Sequence, residues 1–262
     1  MEKGHLQSES NTKYSGESEL LLAESNLSGY NKDIVRKISG ELSGSINVLE
    51  FGAGIGTLAA EYQRATGVKP ECVELDATQR QIIIDRGFIC YTSLYEVNDT
   101  YDAIYTSNVL EHIENDREAI SQLKTKLRKN GILVIYVPAF MILFSDLDSA
   151  VGHYRRYHKK ELMEKVINSG FKIRKCHFVD SVGFMAWLYI KFRGYDRKEK
   201  SGGGKSMMIY DKIVYPISKI FDLVGFRYLF GKNIMLGPLK NEMQRLWSNK
   251  PGGMVWHEDS SS

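Results

Sequence analysis

The sequence predicts an α/β protein with a doubly wound sheet and helices on both of its faces. Short apolar segments alternate with helical patterns from about residue 45 to residue 180, and this alternation is typical of parallel strands joined by right-handed helical crossovers. One segment, ILVIYVP at 132–138, is apolar throughout. Such a run suits a strand that is buried on both faces at the centre of a parallel sheet.

The spacing of apolar residues and the positions of glycine and proline predict the individual elements. The predicted strands are 45–51, 71–75, 88–92, 101–107, 132–138, one near 172–179, and 233–239. The predicted helices are one that begins at Asn31, then 57–64, 77–87, 115–131, 159–171 and 208–225, the last of them interrupted by Pro216. Gly87 and Gly131 are the expected ends of two helices.

The 262 residues suit one large domain with short appendages. Residues 1–19 are polar and rich in serine and glutamate, which predicts a mobile leader. Residues 20–240 are expected to form a single domain with an insertion at about 180–232, and residues 241–262 a peripheral tail. A basic, glycine-containing loop is expected at 191–205 within the insertion.

The composition is that of an ordinary globular protein and disfavours several kinds of partner. The net charge of +3 is small for this length, so it gives no support for a nucleic-acid partner. Cys72, Cys90 and Cys176 lack the spacing of a zinc or redox site, which favours reduced thiols, a cytoplasmic location and no bound metal. No apolar run approaches the roughly 18 residues of a membrane span.

The segment VLEFGAGIGTLA at 48–59 places Gly52, Gly54 and Gly56 directly after a predicted strand. A glycine loop in this position is the usual ligand cradle of an open α/β sheet. The dinucleotide pattern G-x-G-x-x-G is not met, because Gly56 comes one residue early. Glu50 would disfavour a pyrophosphate, and Glu74 follows at the distance of a ribose-binding acid. The pattern therefore predicts a nucleoside ligand with a ribose, a cationic portion and no essential phosphate.

Four segments together resemble a known family. VLEFGAGIG, CVELD, YDAIYTSNVLEHI and LRKNGILVIYVP, in this order and spacing, look like the motifs of class I S-adenosylmethionine-dependent methyltransferases, within the broad small-molecule group (types 11 and 12) that includes quinone-biosynthesis enzymes. The resemblance covers roughly residues 45–180. It implies a Rossmann-like sheet of seven strands, mostly parallel with the last strand antiparallel, and NIMLGPL at 233–239 suits that last strand.

The resemblance also implies S-adenosyl-L-methionine as the cofactor. Its methionine part would be held by Glu50 and by the glycine loop, namely Gly52, Ala53, Gly54 and Gly56. The ribose hydroxyls would be bound by Glu74.

The remaining cofactor contacts are implied at the ends of three strands. Leu75 would pack on the adenine with Asp76 close by, and Ser93 and Leu94 would meet the adenine edge. Many relatives have aspartate where Ser93 stands, so the backbone would make that contact here. After the fourth strand, Asn108 and Val109 would approach the cofactor.

Two places in the sequence are candidates for catalytic groups. If the acceptor is a hydroxyl, a histidine is suited to remove its proton near neutral pH. His112 in LEHIEN is one candidate, with the alternative that it caps the next helix. DSAVGHYRRYHKKEL at 148–162 is the other: there His153 is the predicted base or orienter, Arg156 the anchor for an acidic group and Tyr157 a lid or hydrogen-bond donor. The alternative for this segment is a solvated start of the next helix.

The leading hypothesis is methyl transfer to a small-molecule, glycan or lipid-linked acceptor, and oxygen is favoured as the acceptor atom. The alternatives are an NAD-dependent or nucleotide-sugar-dependent Rossmann enzyme, and a cofactor-binding partner subunit that has lost catalysis. SVGFMAWLYIKF at 181–192 and the basic residues after it allow a weak contact with a membrane surface. The methyl acceptor and the oligomeric state stay open.

Overall fold

One mixed sheet of seven strands forms the centre of the protein. The computed structural model describes residues 17–193 and 203–238. The strand order in the sheet is β3-β2-β1-β4-β5-β7-β6. The five strands from β3 to β5 pair in parallel, whereas β7 lies antiparallel between β5 and β6. The predicted doubly wound sheet with an antiparallel last strand is therefore confirmed.

The helices and strands have the following bounds. The strands are β1 Val48–Phe51, β2 Glu71–Val73, β3 Cys90–Tyr91, β4 Tyr101–Ser107, β5 Leu127–Pro138, β6 Ile173–Val179 and β7 Asn233–Pro238. The helices are α1 Glu17–Asn26, α2 Ser28–Glu41, α3 Thr57–Thr66, α4 Ala77–Asp85, α5 Asp116–Thr125, α6 Asp146–Ala150, α7 Lys159–Asn168, α8 Ser181–Arg193, α9 Gly203–Ile209 and α10 Tyr215–Leu223. A 3-10 turn at Leu110–His112 follows β4.

Both faces of the sheet are covered, and the alternation along β5 shows how. Leu133, Ile135 and Val137 are buried in one core, and Val134 and Tyr136 are buried in the core on the opposite face. Successive side chains of a strand point to opposite faces, so a strand between two cores must be apolar at every position. This explains the unbroken run in the sequence.

The boundary between α5 and β5 differs from the prediction. The helix expected to reach Gly131 ends at Thr125, and the strand already begins at Leu127. Leu127 pairs with Tyr101 at the start of β4, and its side chain is buried in the core as part of a strand. Pairing with a distant strand decided this assignment, because the helical spacing of apolar residues continues through Leu127.

The two ends of the domain also differ from expectation. The segment predicted as a leader contributes its last residues to α1, which begins at Glu17; residues 1–16 and the predicted tail lie outside the described residues. In the insertion, α8 extends into the expected basic loop and ends at Arg193. Pro216 lies in the first turn of α10, after a π-helical turn at Tyr210–Val214, because proline needs no backbone N–H partner there.

None of the helices in the described part of the chain is long and apolar enough to cross a membrane.

Candidate cofactor site and active site

A cavity of about 950 Å³ lies where β1, β2, β3 and β4 end. The loops that follow these strands line it, and α1 and α2 form its outer wall. The carboxyl ends of parallel strands are the usual ligand position in open α/β sheets. Of the predicted site residues, those that line the cavity are Glu50, Gly52, Ala53, Gly54, Glu74, Leu75, Ser93, Leu94, Asn108, Val109 and His112.

The glycine loop is held against β2 by its backbone. The amides of Gly52 and Ala53 both donate to the carbonyl of Val73, at 2.9 and 3.1 Å. Gly52 has a φ of +75°, and a Cβ at this position would lie 2.3 Å from Cγ2 of Val109. Only glycine satisfies both the left-handed backbone and this close approach.

Glu50 is a buried acid at the end of β1. Its carboxylate accepts a hydrogen bond from the hydroxyl of Tyr105 at 2.9 Å, and its side chain is almost fully buried. Burial raises the pKa of Glu50 to about 8, and the nearby Glu74 adds to the increase. An acid in this state is neutral near pH 7 and becomes a strong partner for an ammonium group when one is brought beside it.

Glu74 bridges the glycine loop and the start of α4. One carboxylate oxygen accepts from the amide of Gly54 at 2.8 Å and the other from the amide of Asp76 at 2.9 Å. Burial raises the pKa of Glu74 in spite of these two bonds. A carboxylate oxygen can accept more than one hydrogen bond, so the side chain is fixed and still able to bind a ligand hydroxyl.

Some of the other residues predicted to contact the nucleoside line the cavity, and the rest lie outside its wall. Leu75 is 81% exposed beside the cavity, which leaves an apolar face free for an aromatic ring. Ser93 and Leu94 line the cavity as well. Asp76 is not at the cavity wall: its carboxylate caps α4 by accepting from the amides of Thr78 and Gln79. Gly56 is also outside the wall and forms the N-cap of α3.

The end of β4 forms the opposite side of the cavity. Asn108 has a φ of +54°, a conformation that asparagine tolerates better than most residues. It is followed by Val109, which contacts the glycine loop, and by the 3-10 turn that carries His112. Burial and the neighbouring His153 lower the pKa of His112 to about 4. The imidazole at the cavity wall is therefore neutral near pH 7.

Helix α1 supplies part of the wall that the sequence interpretation missed. Leu20, Ala23 and Glu24 line the cavity. Glu24 forms a two-pronged ion pair with Arg86 at 2.7 and 2.8 Å and accepts from the hydroxyl of Thr57. The hydrogen bond from Arg86 lowers the pKa of Glu24. The signal in the sequence was the run LLLA at 20–23, directly after the polar residues.

The predicted acceptor segment is built around Asp148, a buried residue of α6. Its carboxylate accepts from Nδ1 of His153 at 2.8 Å and from Nε and Nη2 of Arg156 at 2.9 and 3.1 Å. Burial alone would raise the pKa of Asp148, but these bonds outweigh it and lower the pKa to about 2. The Asp148 carboxylate thus fixes the orientation of both neighbouring side chains.

A second carboxylate, that of Asp116 at the start of α5, binds the other polar side chains of this segment. It accepts from the hydroxyl of Tyr157 at 2.8 Å and from Nζ of Lys165 at 2.6 Å, and Arg155 lies 3.0 Å away. Burial raises the pKa of Asp116, whereas Lys165 and Tyr157 lower it, and the net shift is downward. These contacts tie the segment to α5 and α7.

The structure therefore differs from the expectation for two residues of this segment. Arg156 is only 4% exposed, binds an internal carboxylate through Nε and Nη2, and does not line the cavity where it was expected to anchor an acidic substrate. Tyr157 is fully buried and has no access to the cavity as a lid. His153 does not line the cavity either, but its ring packs edge-on against His112, with the ring centroids 4.5 Å apart.

The comparisons with known proteins agree with this geometry. Residues 23–188 match the model of a family described as a methyltransferase domain. The chain belongs to this methyltransferase family. The match covers β1 to β6 together with every strand end that surrounds the cavity. None of the curated protein sequences matches this methyltransferase.

Solved structures show the same fold at low sequence identity. The methyltransferase is similar to an S-adenosylmethionine-dependent methyltransferase from Archaeoglobus fulgidus, with 16% identity, a TM-score of 0.57 and coverage of 84% of this chain and 98% of that chain. It is also similar to the [4+2]-cyclase SpnF, with 15% identity, a TM-score of 0.52 and coverage of 80% and 82%. A third structure is the cyclopropane synthase MmaA2 from Mycobacterium tuberculosis, with 14% identity, a TM-score of 0.50 and coverage of 78% and 82%.

These findings confirm the predicted class I S-adenosylmethionine-dependent methyltransferase at the level of family and fold. The fold alone does not select the acceptor, since one fold carries different chemistries. The acceptor must be inferred from the residues of the site.

Proposed function

We propose that this methyltransferase transfers a methyl group from S-adenosylmethionine to an oxygen atom of a small-molecule, glycan or lipid-linked acceptor. The observation that carries the proposal is the arrangement of the cavity wall. Two carboxylates, Glu50 and Glu74, flank a tight glycine loop at one side, and the neutral imidazole of His112 stands on the wall as well. The two acids are placed to bind polar groups of the cofactor, and the imidazole is placed to accept a hydrogen bond from an acceptor hydroxyl.

The residues at the cavity fit the cofactor in charge and shape. Glu50 would pair with the ammonium group of the methionine part, and the backbone of Gly52 would approach it closely because no Cβ intervenes. Glu74 would accept from the ribose hydroxyls, and the exposed face of Leu75 would cover the adenine. When bound, S-adenosylmethionine supplies a methyl group that its sulfonium has already activated.

The protein has two tasks once the cofactor supplies this activated group. It must align the acceptor with the methyl group and keep water away from it, since positioning supplies much of the rate acceleration in such reactions. It must also assist the loss of the hydroxyl proton. His112 lies at the cavity wall where it would orient that hydroxyl, and His153 supports the His112 ring from behind.

Titration of the purified protein with S-adenosylhomocysteine tests the cofactor part of the proposal. We expect micromolar binding by the wild type, with NAD giving no signal. Glu74→Ala should weaken binding by about 1–3 kcal/mol, because hydroxyl groups of the ligand lose their buried acceptor. Asp85→Asn serves as the matched control, since Asp85 is an exposed acid on the neighbouring helix α4, and it should bind like the wild type.

Two results would contradict this interpretation. Binding of NAD without S-adenosylhomocysteine would favour the dinucleotide alternative, and an unchanged affinity in Glu74→Ala would remove Glu74 from the site. If the analogue binds as expected, screening of hydroxyl acceptors with labelled S-adenosylmethionine follows. Methylation of a nitrogen or carbon acceptor alone would contradict the assignment of oxygen.

A lipid-linked acceptor also agrees with an apolar surface on the insertion. Exposed apolar side chains recur along α8 at Met185, Tyr189 and Phe192, and α10 carries Ile220 and Phe221 in the same way. The carboxylates within the described part of 181–229 are Asp211 and Asp222, and both accept from backbone amides. The basic residues of the same part of the chain are Lys191, Arg193, Lys205, Lys212, Lys219 and Arg227. A surface with exposed apolar and cationic side chains suits weak binding to anionic lipid.

Vesicle flotation tests this contact. We expect the protein to float with vesicles that contain phosphatidylglycerol and to stay below pure phosphatidylcholine vesicles. Replacing both Phe192 and Ile220 with aspartate should lower the bound fraction several-fold, because charge is placed on the apolar face. Ile84→Asp on α4 changes an exposed isoleucine elsewhere and should leave flotation unchanged. Absence of flotation, or a dimer that buries these residues, would contradict the proposal.

A further inference from the structure

Three side chains beside the cavity bring potential metal-ligand atoms together. Glu111 and His112 come from the 3-10 turn after β4, and His153 comes from the loop after α6. One ligand atom from each of them lies within 4.8 Å of the others. Nε2 of His153 and Oε1 of Glu111 are 4.0 Å apart. Among the residues that the structure describes, this is the one cluster of its kind.

Glu111 has an unusual position for an acid. Its side chain is 0% exposed, and neither carboxylate oxygen has a hydrogen-bond partner. A buried carboxylate without a partner is costly, and buried charges in proteins are generally paired or bound to metals. One of them, Oε1, faces the imidazole of His153, so a cation between these groups would supply the missing partner.

The histidines are already oriented by their other contacts. Asp148 bonds Nδ1 of His153 at 2.8 Å, which leaves Nε2 directed towards Glu111. Asp148 is itself fixed by the two hydrogen bonds from Arg156. A carboxylate that bonds the second nitrogen of a ligand histidine is the usual support of a metal site. The ring of His112 is positioned by its edge-on packing against the ring of His153, with the centroids 4.5 Å apart.

We propose that Glu111, His112 and His153 bind a divalent transition-metal ion at the acceptor side of the cavity. Two imidazole nitrogens and one carboxylate oxygen suit ions such as Mn²⁺, Fe²⁺ and Zn²⁺ better than Mg²⁺ or Ca²⁺, which prefer oxygen ligands. Ligand bonds of about 2.0–2.2 Å place the ligand atoms of a tetrahedral site about 3.4 Å apart, so the 4.0 Å between Glu111 and His153 must shorten by about 0.6 Å when an ion binds. The set leaves coordination positions open.

The open positions give the ion a use in the reaction, and this part of the inference rests on the proposed function. His112 lines the cavity, so an ion bound to its ring would hold the acceptor hydroxyl in place of a direct contact with the imidazole. A metal ion acts as a Lewis acid and lowers the pKa of an oxygen bound to it. The hydroxyl proton would leave to solvent, and the new oxygen–methyl bond would form as the methyl–sulfur bond breaks, with no change of oxidation state.

The proposed metal site departs from the expectation, drawn from the sequence, that the protein binds no metal. Glu111 and His112 are neighbours in the sequence, but His153 follows only after α5, β5 and α6. No local spacing of ligands is therefore visible in the chain.

Titration of the metal-free, full-length protein with Mn²⁺ tests the inference, after any affinity tag has been removed. We expect one ion per chain with a micromolar dissociation constant. Glu111→Gln and His153→Gln should each weaken binding at least tenfold. His158→Gln changes an exposed histidine that follows the same segment and should bind Mn²⁺ like the wild type. Pulsed electron paramagnetic resonance of the wild-type complex should show coupling to histidine nitrogen.

Each outcome supports or overturns the site separately from the proposed function. The inference is overturned if the wild type binds neither Mn²⁺ nor Zn²⁺ while S-adenosylhomocysteine still binds. It is also overturned if both variants bind Mn²⁺ as the wild type does and thermal melting shows that they are folded. If a variant does not fold, the wild-type stoichiometry and the nitrogen coupling decide. Metal binding without S-adenosylhomocysteine binding would overturn only the proposed function.

Discussion

Replacing Asp148 with alanine is expected to lower the free energy of unfolding by about 3–5 kcal/mol. Asp148 is 1% exposed and Arg156 is 4% exposed, and the carboxylate accepts two hydrogen bonds from the guanidinium. Removal of the acid leaves a buried positive charge without its partner, which is the most costly way to break a buried ion pair. His153 and the backbone of Ser145 lose their acceptor at the same time.

Urea unfolding followed by circular dichroism measures this effect. Ser149→Ala is the matched control: Ser149 is exposed on the same short helix, and its replacement should change the stability by no more than about 0.5 kcal/mol. The free energy of unfolding of Asp148→Asn should lie between those of the other two variants, because asparagine keeps the shape of the side chain and part of its hydrogen bonding. A loss below about 1 kcal/mol in Asp148→Ala would show that Arg156 finds another partner or reaches solvent.

The second large effect is expected for Gly52→Ala. The new Cβ would lie 2.3 and 2.6 Å from the two γ-carbons of Val109, so the glycine loop or the end of β4 must move. Overpacking of this kind costs about 1–3 kcal/mol, and the left-handed backbone adds about 1–2 kcal/mol for a residue with a Cβ. Because both sides of the cavity would shift, binding of S-adenosylhomocysteine should weaken by at least tenfold.

Gly44→Ala separates the two contributions. Gly44 has a φ of +90°, and a Cβ there would meet nothing within 4 Å, so this variant carries the backbone cost alone. Adding Val109→Ala to Gly52→Ala should recover stability by removing the clash, while the backbone cost stays. The comparison requires calorimetric melting and ligand titration of the wild type, Gly52→Ala, Gly44→Ala and the double variant Gly52→Ala/Val109→Ala. Equal melting temperatures for Gly52→Ala and Gly44→Ala would mean that the contact with Val109 is not restrictive.

The succession of strands and helices along the chain, and the position of the glycine loop and its two acids at the strand ends, were predictable because they depend on local patterns. Continuous apolar runs identify strands with two buried faces. A glycine loop directly after β1 can only lie at the carboxyl end of that strand. Glu50 lies near the end of β1 and Glu74 directly follows β2; the two strands are neighbours in the sheet, and both acids line the cavity. Their spacing from the loop was enough to suggest a nucleoside ligand.

The acceptor side was not predictable in the same way, because its contacts join distant parts of the chain. The two arginines after Gly152 have the composition of an anion site, yet Arg155 pairs with Asp116 on α5 and Arg156 with Asp148 on α6. No periodicity in the sequence distinguishes an arginine that binds substrate from one that neutralises a buried acid. The same limit applies to the start of β5, where pairing with Tyr101 overrides a helical pattern.

The sequence by itself determined the doubly wound sheet, its glycine loop and the two acids beside it, since backbone periodicity and turn chemistry act over a few residues. Only the tertiary structure decided that α1 closes the cavity, that Val109 excludes a side chain at position 52, and that His153 faces Glu111. These contacts depend on how the helices pack against the finished sheet. Close packing and the burial of charge select them from many arrangements that the same local patterns allow.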